Sequence, residues 1–260
     1  MRLAFTLRAP GLAWIPVWRR NFLVWRKLAV PSVLGNLADP MIYMLGLGYG
    51  LGALLPQVGG VSYIAFLAAG TVCFSTTNSA TFESLYSAFS RMHVQRTWDA
   101  IINAPLTLDD VVMGEWVWAA SKSLLSGCAV LLVACAMGLT QSWLALLIIP
   151  VILLTGLTFG ALGLIMTAIS PSYDFFMYYF TLAITPMMLM CGVFFPLEQL
   201  PAAVQAAAQA LPLTHAVALS RPLMNGEWPT QAWLHVLVLL AFAGGGYGVA
   251  RHLFKRRILQ

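Results

Sequence analysis

The charged residues of this chain concentrate in one short passage, RMHVQRTWDAIINAPLTLDD, at residues 91–110. Asp, Glu, Lys and Arg make up only 9% of the whole chain. The ionisable residues of the passage are Arg91, His93, Arg96, Asp99, Asp109 and Asp110. Such side chains form ion pairs, or a polar rim around an apolar contact with another protein. Apolar runs flank the passage on both sides, so it joins two hydrophobic segments.

Residues 91–105 have the pattern of a short amphipathic helix. Its apolar positions recur at i, i+4, i+7 and i+11 and are Val94, Trp98, Ile101 and Pro105. Arg96 and Asp99 lie on a different face. The periodicity leaves two alternatives equally open, a solvated loop and a helix that docks into a partner's groove. Thr107, with Asp110 three residues later, predicts a capping box at the start of the next helix.

Other chemistry has little support in the sequence. The four histidines and four cysteines show no metal-ligand or disulfide spacing. The phosphate-binding pattern G-x-x-x-x-G-K-[ST] is absent, and GLGYGLG at residues 46–52 lacks the lysine and is typical of close helix packing. We therefore expect that the chain is not an enzyme by itself and carries no metal or cofactor.

The composition is that of an all-α integral membrane protein. The chain has 260 residues, of which 60% are hydrophobic, and its mean hydropathy is +0.82. This length accommodates about six membrane helices of roughly 20 residues each in a single domain, residues 1–260. The predicted spans are residues 31–55, 62–89, 111–138, 143–169, 174–195 and 231–253. The first residues lack a small-residue cleavage site, so no removed signal peptide is expected.

Lysines and arginines predict the orientation of these spans. They cluster before the first span, after the second and after the sixth, whereas the opposite loops carry only Arg221. This bias places both termini and residues 91–110 in the cytoplasm of a multi-pass inner-membrane protein. It also accounts for the net charge of +5, so no nucleic-acid partner is expected.

The segment at residues 12–29 is predicted to be an amphipathic helix in the membrane interface. Trp14, Trp18, Phe22 and Trp25 share one face, and four cationic side chains gather on the opposite face. The rings would lie among lipid headgroups, with the cations toward phosphate or cytosol. The alternative is a cytosolic extension of the first span.

Polar residues inside the spans suggest two further features. Glu83 and Lys122 fall at similar depths in antiparallel spans, so we predict that they pair, or that Glu115 pairs with Lys122 instead. A structural pair is favoured over a substrate site. The second span is rich in hydroxyl and amide groups, Thr76 and Asn78 among them, which indicates either helix packing or a lining that tolerates oligosaccharide.

The whole pattern resembles an ABC-2 type transporter permease. The residues that carry the likeness are Phe194-Phe195-Pro196, Leu200-Pro201, Pro212-Leu213-Thr214 and Arg221, which are similar to the family's external hairpin. The start, VWRRNFLVWRKLAVPSVLGNLADPMIYMLGLGYGLG at residues 17–52, is similar to permeases of rhizobial nodulation-factor export.

The resemblance implies a role for each region. Residues 91–105 would be the coupling helix that docks on a separate ATPase subunit, where ATP and Mg²⁺ bind. Trp98 and Ile101 would be its apolar knobs, and Arg91, Arg96 and Asp99 its polar rim. Tyr43 in the first span and Tyr178 or Tyr179 in the fifth would border the translocation path. Residues 194–223 would form an external re-entrant hairpin, with a gate made of Phe194, Phe195, Pro196, Leu200 and Pro201.

The resemblance also implies the assembly and the cargo. Two copies would pair with two ATPase subunits in the membrane lipid and export an amphiphile, with a lipo-oligosaccharide as the first expectation. The alternative is the same machine moving a hydrophobic drug, a lipid or a polysaccharide. A non-transporting membrane scaffold or an ion channel is the alternative of a different class.

Overall fold

The computed structural model describes residues 11–55, 57–140 and 142–259. The expectation about a signal peptide concerns residues 1–10 and so lies outside the described residues. The first half contains α1 (Ile15–Arg26), α2 (Ala29–Gly50), β1 (Gln57–Val58), β2 (Val61–Ser62), α3 (Tyr63–Phe82), α4 (Thr97–Ile102) and α5 (Leu108–Ala136). The second half contains α6 (Ile148–Ile169), α7 (Asp174–Tyr179), α8 (Thr185–Met190), α9 (Ala202–Gln209), α10 (Pro212–Asn225) and α11 (Ala232–Leu259).

Short connecting turns extend several of these helices. A 3-10 turn precedes α1 and another precedes α6, at Leu12–Trp14 and Trp143–Leu147. A π-helical turn at Phe180–Ile184 joins α7 to α8, so the two form one continuous helix. The two strands pair antiparallel in a minimal hairpin around Gly59 and Gly60, which both adopt positive φ.

Three helices are long and apolar enough to cross a membrane: Leu108–Ala136, Trp143–Ile169 and Ala232–Ile258. Two bent helix pairs bring the total to as many as five, if each pair is counted as one span. One pair is α1 with α2, bent by 83°, and the other is α9 with α10, bent by 92°. The chain is therefore an all-α protein with three to five candidate membrane spans among the described residues.

Local sequence explains where the key helix α5 begins. Thr107 Oγ1 accepts a hydrogen bond from the backbone N–H of Asp110 at 3.3 Å, and Asp110 Oδ2 accepts one from the N–H of Thr107 at 3.0 Å. The predicted capping box is thereby confirmed. Reciprocal caps of this kind satisfy N–H groups that have no partner within the helix.

The centre of the molecule is built from α3, α5 and α6, and α11 packs on the outside of α6. Small residues allow the close approaches: a Cβ added to Gly163 of α6 would lie 2.6 Å from Ser84 Cβ, just beyond α3. An apolar cluster, separate from the main core, lies at the end of the molecule that is predicted to be cytoplasmic. Trp98, Leu164 and Phe254 are fully buried in it. This cluster joins the short helix α4 to the end of α11.

Residues 91–105 do not form one continuous helix, which corrects the sequence-based prediction. α3 continues as π-helical turns through Val94, the backbone then turns at Arg96 with φ of 49°, and α4 begins at Thr97. A left-handed residue interrupts the helical repeat. As a result Val94 is 65% exposed whereas Trp98 is only 1% exposed, so the predicted apolar stripe does not share one face.

Candidate functional site

Four charged side chains form a buried cluster at the junction of α3 and α5. Arg91 donates to Glu83 Oε1 at 2.9 Å and to Glu115 through two nitrogens at 2.9 and 2.5 Å. Lys122 Nζ lies 2.7 Å from Glu83 Oε2. The structure thus places Lys122 with Glu83, and Glu115 with Arg91. Each carboxylate faces a cation, which offsets the desolvation that isolated buried charges would suffer.

Two indoles complete this ion cluster. Trp118 Nε1 donates to Glu83 Oε1 at 2.8 Å, and Trp98 Nε1 donates to Glu115 Oε1 at 3.2 Å. The two carboxylates therefore accept bonds from both cations and tryptophans. The role of Trp118 was not predicted from the sequence, because its position in an apolar run gave no sign that its N–H faces a carboxylate.

Trp98 and Arg91 correct the predicted docking surface. Trp98 is buried, with its ring centroid 5.0 Å from that of Phe254 in α11, so it cannot project into a partner as an exposed knob. Arg91 points inward to the carboxylates and does not lie on a polar rim. The physical reason is the same for both: Glu115 offers a buried acceptor that attracts these donors inward.

The outer face of α4 and its approach carry the remaining predicted residues. Val94, Arg96 and Asp99 are exposed, and Ile101 is half-buried against the apolar cluster. An exposed patch with an apolar side chain and both charge signs therefore lies directly outside the ion cluster. Trp98 is the link between this patch and Glu115.

The aromatic face of α1 packs on α5. Trp18, Phe22 and Trp25 all pack on Trp118 of α5, with ring centroids 6.4, 6.4 and 5.9 Å away. Trp18 Nε1 donates to Ser121 Oγ at 3.0 Å. These half-buried rings contact a helix of the same chain, because the indole of Trp118 offers them a buried partner surface.

A cavity of about 690 Å³ lies at the opposite end of the molecule. Phe194, Phe195 and Pro196 line it, whereas Leu200 and Pro201 of the predicted gate do not and instead lead into α9. Tyr63 donates to the carbonyl of Phe194 at 3.2 Å, which fixes that turn.

Arg221 is the cation of this cavity. Its guanidinium carbon lies 3.7 Å from the centroid of the Phe66 ring, and it donates to the carbonyl of Gly192 at 2.5 Å. Contact with an aromatic face and a carbonyl compensates part of the cost of burying a guanidinium. The cavity is thus mainly apolar, with Arg221 and the carboxylate of Glu198 as its charged groups.

The residues predicted to line a path do not form one surface. The ring centroid of Tyr43 lies 5.5 Å from that of Phe74 and 5.9 Å from that of Phe194, so Tyr43 borders the external turn. Tyr178 is 63% exposed, and Tyr179 is half-buried. Thr76 is fully buried and donates to the carbonyl of Val72 at 2.8 Å, so it does not line a path. Thr76 packs in this way because Gly127 of α5 leaves room for it.

Two histidine contacts were not foreseen from the spacing. His215 and His235 join α10 to α11 with their Nδ1 atoms 2.7 Å apart. His93 Nε2 accepts from Arg257 at 2.7 Å. Within the described ranges, no three His, Cys, Asp or Glu side chains are placed to hold a metal ion.

Comparison with known proteins places this architecture in a class. The model of the family described as ABC-2 type transporter matches residues 13–225. The chain therefore belongs to the ABC-2 type transporter family. Members of this family are transport components rather than catalysts, so the chain is a multi-pass component of a membrane transporter.

The similarity extends to one branch of the family. The chain is 50% identical over 256 residues to Nodulation protein J of Rhizobium leguminosarum bv. viciae, with 98% of each chain covered. It is 47% identical over 254 residues to Nodulation protein J of Rhizobium meliloti (strain 1021), with 97% of each covered. Inner membrane transport permease YadH of Escherichia coli (strain K12) is 22% identical over 204 residues, with 78% of each covered. The chain is an ABC-2 permease of the Nodulation protein J branch.

Proposed function

We propose that this chain is the membrane half of an ATP-driven exporter in the bacterial inner membrane. Two copies pair, and a separate ATP-binding-cassette subunit docks on each. The single observation that carries the proposal is the position of α4, whose outer face is exposed while its inner face closes on the ion cluster through Trp98. A force that a docked subunit exerts on that face would be transmitted directly to α3 and α5.

The proposed topology has six spans with both termini in the cytoplasm. The helices α2, α3, α5, α6, the continuous α7–α8 and α11 would be the spans. In this arrangement residues 12–29 form the helix at the cytoplasmic interface, 91–105 the coupling region, and 194–223 the external hairpin. The clustering of Lys and Arg on one side supports this orientation.

The proposed cargo is an amphiphile with an oligosaccharide head, of the kind exported as a nodulation factor. Relatives named Nodulation protein J, at up to 50% identity, support this cargo. The external cavity, with its aromatic walls and Arg221, is a suitable exit for such a molecule. The segment Phe194–Pro196, which lines this cavity, would then act as the gate.

The docking proposal is tested by ATPase turnover. The candidate ATPase subunit is reconstituted in liposomes with wild-type chain or with Arg96→Glu. Because the variant reverses a charge on the exposed patch, stimulation of turnover should fall at least fivefold. Arg26→Glu, an equal reversal at another exposed cation, is the matched control and should keep wild-type stimulation. Full stimulation by Arg96→Glu, with the subunits still co-purifying, would refute docking at α4.

A further inference from the structure

A polar cavity of about 240 Å³ lies between α2 and α3, apart from the ion cluster and from the external cavity. The side chains that give it its polar character are Asn36, Asp39, Ser75, Asn78 and Ser79, and Phe82 lies at its edge. Asp39 is the eleventh residue of the 22-residue helix α2, so it lies near the middle of the proposed first span. Ionisable residues at such depth are rare in membrane helices and mark functional positions.

None of the five recorded ion pairs of the described residues involves Asp39, which separates it from Glu83 and Glu115. Ser79 borders the cavity and is 3% exposed, and its buried hydroxyl has no hydrogen-bond partner in the described part of the chain. A buried hydroxyl of this kind is normally satisfied. The groups of the cavity that a ligand would reach are those of exposed Asp39 and half-buried Asn36 and Asn78.

The backbone adds one more acceptor at the same place. Pro40 lies inside α2 and also lines the cavity. Proline has no N–H, so the carbonyl of Asn36, four residues earlier, loses its helical donor. The cavity therefore combines a carboxylate, two carboxamides and the Asn36 carbonyl on one pair of helices, whereas the hydroxyl of Ser75 is already bonded to that of Ser126 at 2.8 Å.

This inventory fits one class of ligand better than others. Carboxamides and hydroxyls both donate and accept hydrogen bonds, whereas a carboxylate only accepts. A cation would use the acceptors but leave the amide N–H groups unpaired. Sugar hydroxyls donate and accept at once, and the ring of Phe82, 47% exposed, offers an apolar surface for the C–H face of a sugar ring.

We propose that the cavity around Asp39 binds a sugar unit of the transported amphiphile at mid-membrane depth. The cavity is below the roughly 300 Å³ at which drug-sized pockets begin, so it would hold one unit and not a whole oligosaccharide. This proposal rests on the proposed export function for its biological meaning. Its test measures binding alone, so failure of ATPase coupling would not affect the result.

The test is protection of Asp39 from a hydrophobic carbodiimide, followed by peptide mass spectrometry of the full chain in lipid nanodiscs. Dodecyl maltoside is the sugar probe, and dodecylphosphocholine and dodecylamine carry the same alkyl chain with other heads. We expect saturating dodecyl maltoside to slow modification of Asp39 at least fivefold. Neither other amphiphile should do so, and modification of exposed Glu227 should be unchanged by all three.

Variants make the result specific. Asn36→Ala should lose most of the protection, while Thr71→Val should keep it, because Thr71 bonds back to the carbonyl of Leu67 in its own helix. Three outcomes would overturn the proposal. They are equal protection by dodecylphosphocholine, stronger protection by dodecylamine, and an Asp39 that is unreactive before any probe is added because a second copy covers it.

Discussion

Arg91 binds both Glu83 and Glu115, and among the described residues it is the side chain that joins them. Its planar guanidinium donates to Glu115 through two nitrogens, a geometry that an ammonium cannot reproduce. Removing it would leave Glu115 with the N–H of Trp98 as its remaining side-chain donor. A carboxylate that loses its cation in a buried site is destabilising.

Arg91→Met should therefore lower the free energy of unfolding by about 3–5 kcal/mol, the range for breaking a buried pair. Arg91→Lys keeps the charge but not the paired donation, so its loss should be smaller. Reversible unfolding in lipid–detergent mixtures measures both. Arg26→Met at an exposed position is the control. Adding Glu115→Gln to Arg91→Met should recover part of the stability, and no recovery would argue against a charge effect.

His93 provides a pH-dependent contact outside the spans. Burial and the nearby guanidinium of Arg257 lower the pKa of His93 from its ordinary value. Its Nε2 accepts from Arg257, which also donates to the carbonyls of Thr167 and Ala168. The neutral imidazole is therefore the form that the folded chain favours.

Acidification should weaken this contact. The unfolded chain binds the proton first, near pH 6.5, so the stabilisation is present above that pH and is lost as the pH falls toward the lowered folded value. Thermal denaturation between pH 7.5 and 5.5 should show a fall in Tm that His93→Asn lacks. An equal fall in the variant would mean that other groups are responsible.

At the scale of elements, α1 packs closely against α5 because Gly114 of α5 has no side chain. A Cβ added to Gly114 would lie 2.6 Å from Val17 Cβ, closer than packed carbons approach. The approach lets the aromatic face of α1 reach Trp118. The docking of α1 therefore depends on Gly114 and Trp118 of α5 as much as on the residues of α1 itself.

Gly114→Ala should displace α1, at a cost of about 1–3 kcal/mol for overpacking. Hydrogen exchange of residues 15–26 should become at least tenfold faster. Gly50→Ala is the matched control, since nothing lies within 4 Å of a Cβ there. Gly50 ends α2, where alanine favours the helix over glycine, so this control should leave the protection of α1 unchanged. Unchanged exchange in Gly114→Ala would show that α1 does not depend on this contact.

The helices and the start of α5 could be predicted because they depend on local pattern and capping. The break at Arg96 could not, since the sequence gives no proline or glycine there and tertiary contacts of Trp98 decide it. An apolar stripe indicates burial without naming the partner: the family resemblance predicted that Trp98 contacts another protein, whereas it packs on Phe254 of the same chain. The similar depths of Glu83 and Lys122 in two antiparallel spans were enough to predict that they pair. Arg91 lies beyond the second span, so its position relative to the two carboxylates could not be predicted.

At the scale of the whole molecule, the proposed six-span topology predicts which side each region faces. In a variant lacking the four native cysteines, a single cysteine at exposed Gln199 should react with a membrane-impermeant maleimide on intact cells. A cysteine at exposed Ala100 should react only in inside-out vesicles. Labelling of both from the same side would refute the proposed topology.

The ion cluster contains two carboxylates, Glu83 and Glu115, and two cations, Arg91 and Lys122. These formal charges sum to zero. Membrane voltage does work of about 2.3 kcal/mol per elementary charge per 100 mV, so it does no net work when the cluster moves as one body. Displacements of this cluster along the membrane normal are then insensitive to the potential, and a cell that depolarises leaves the cluster unaffected.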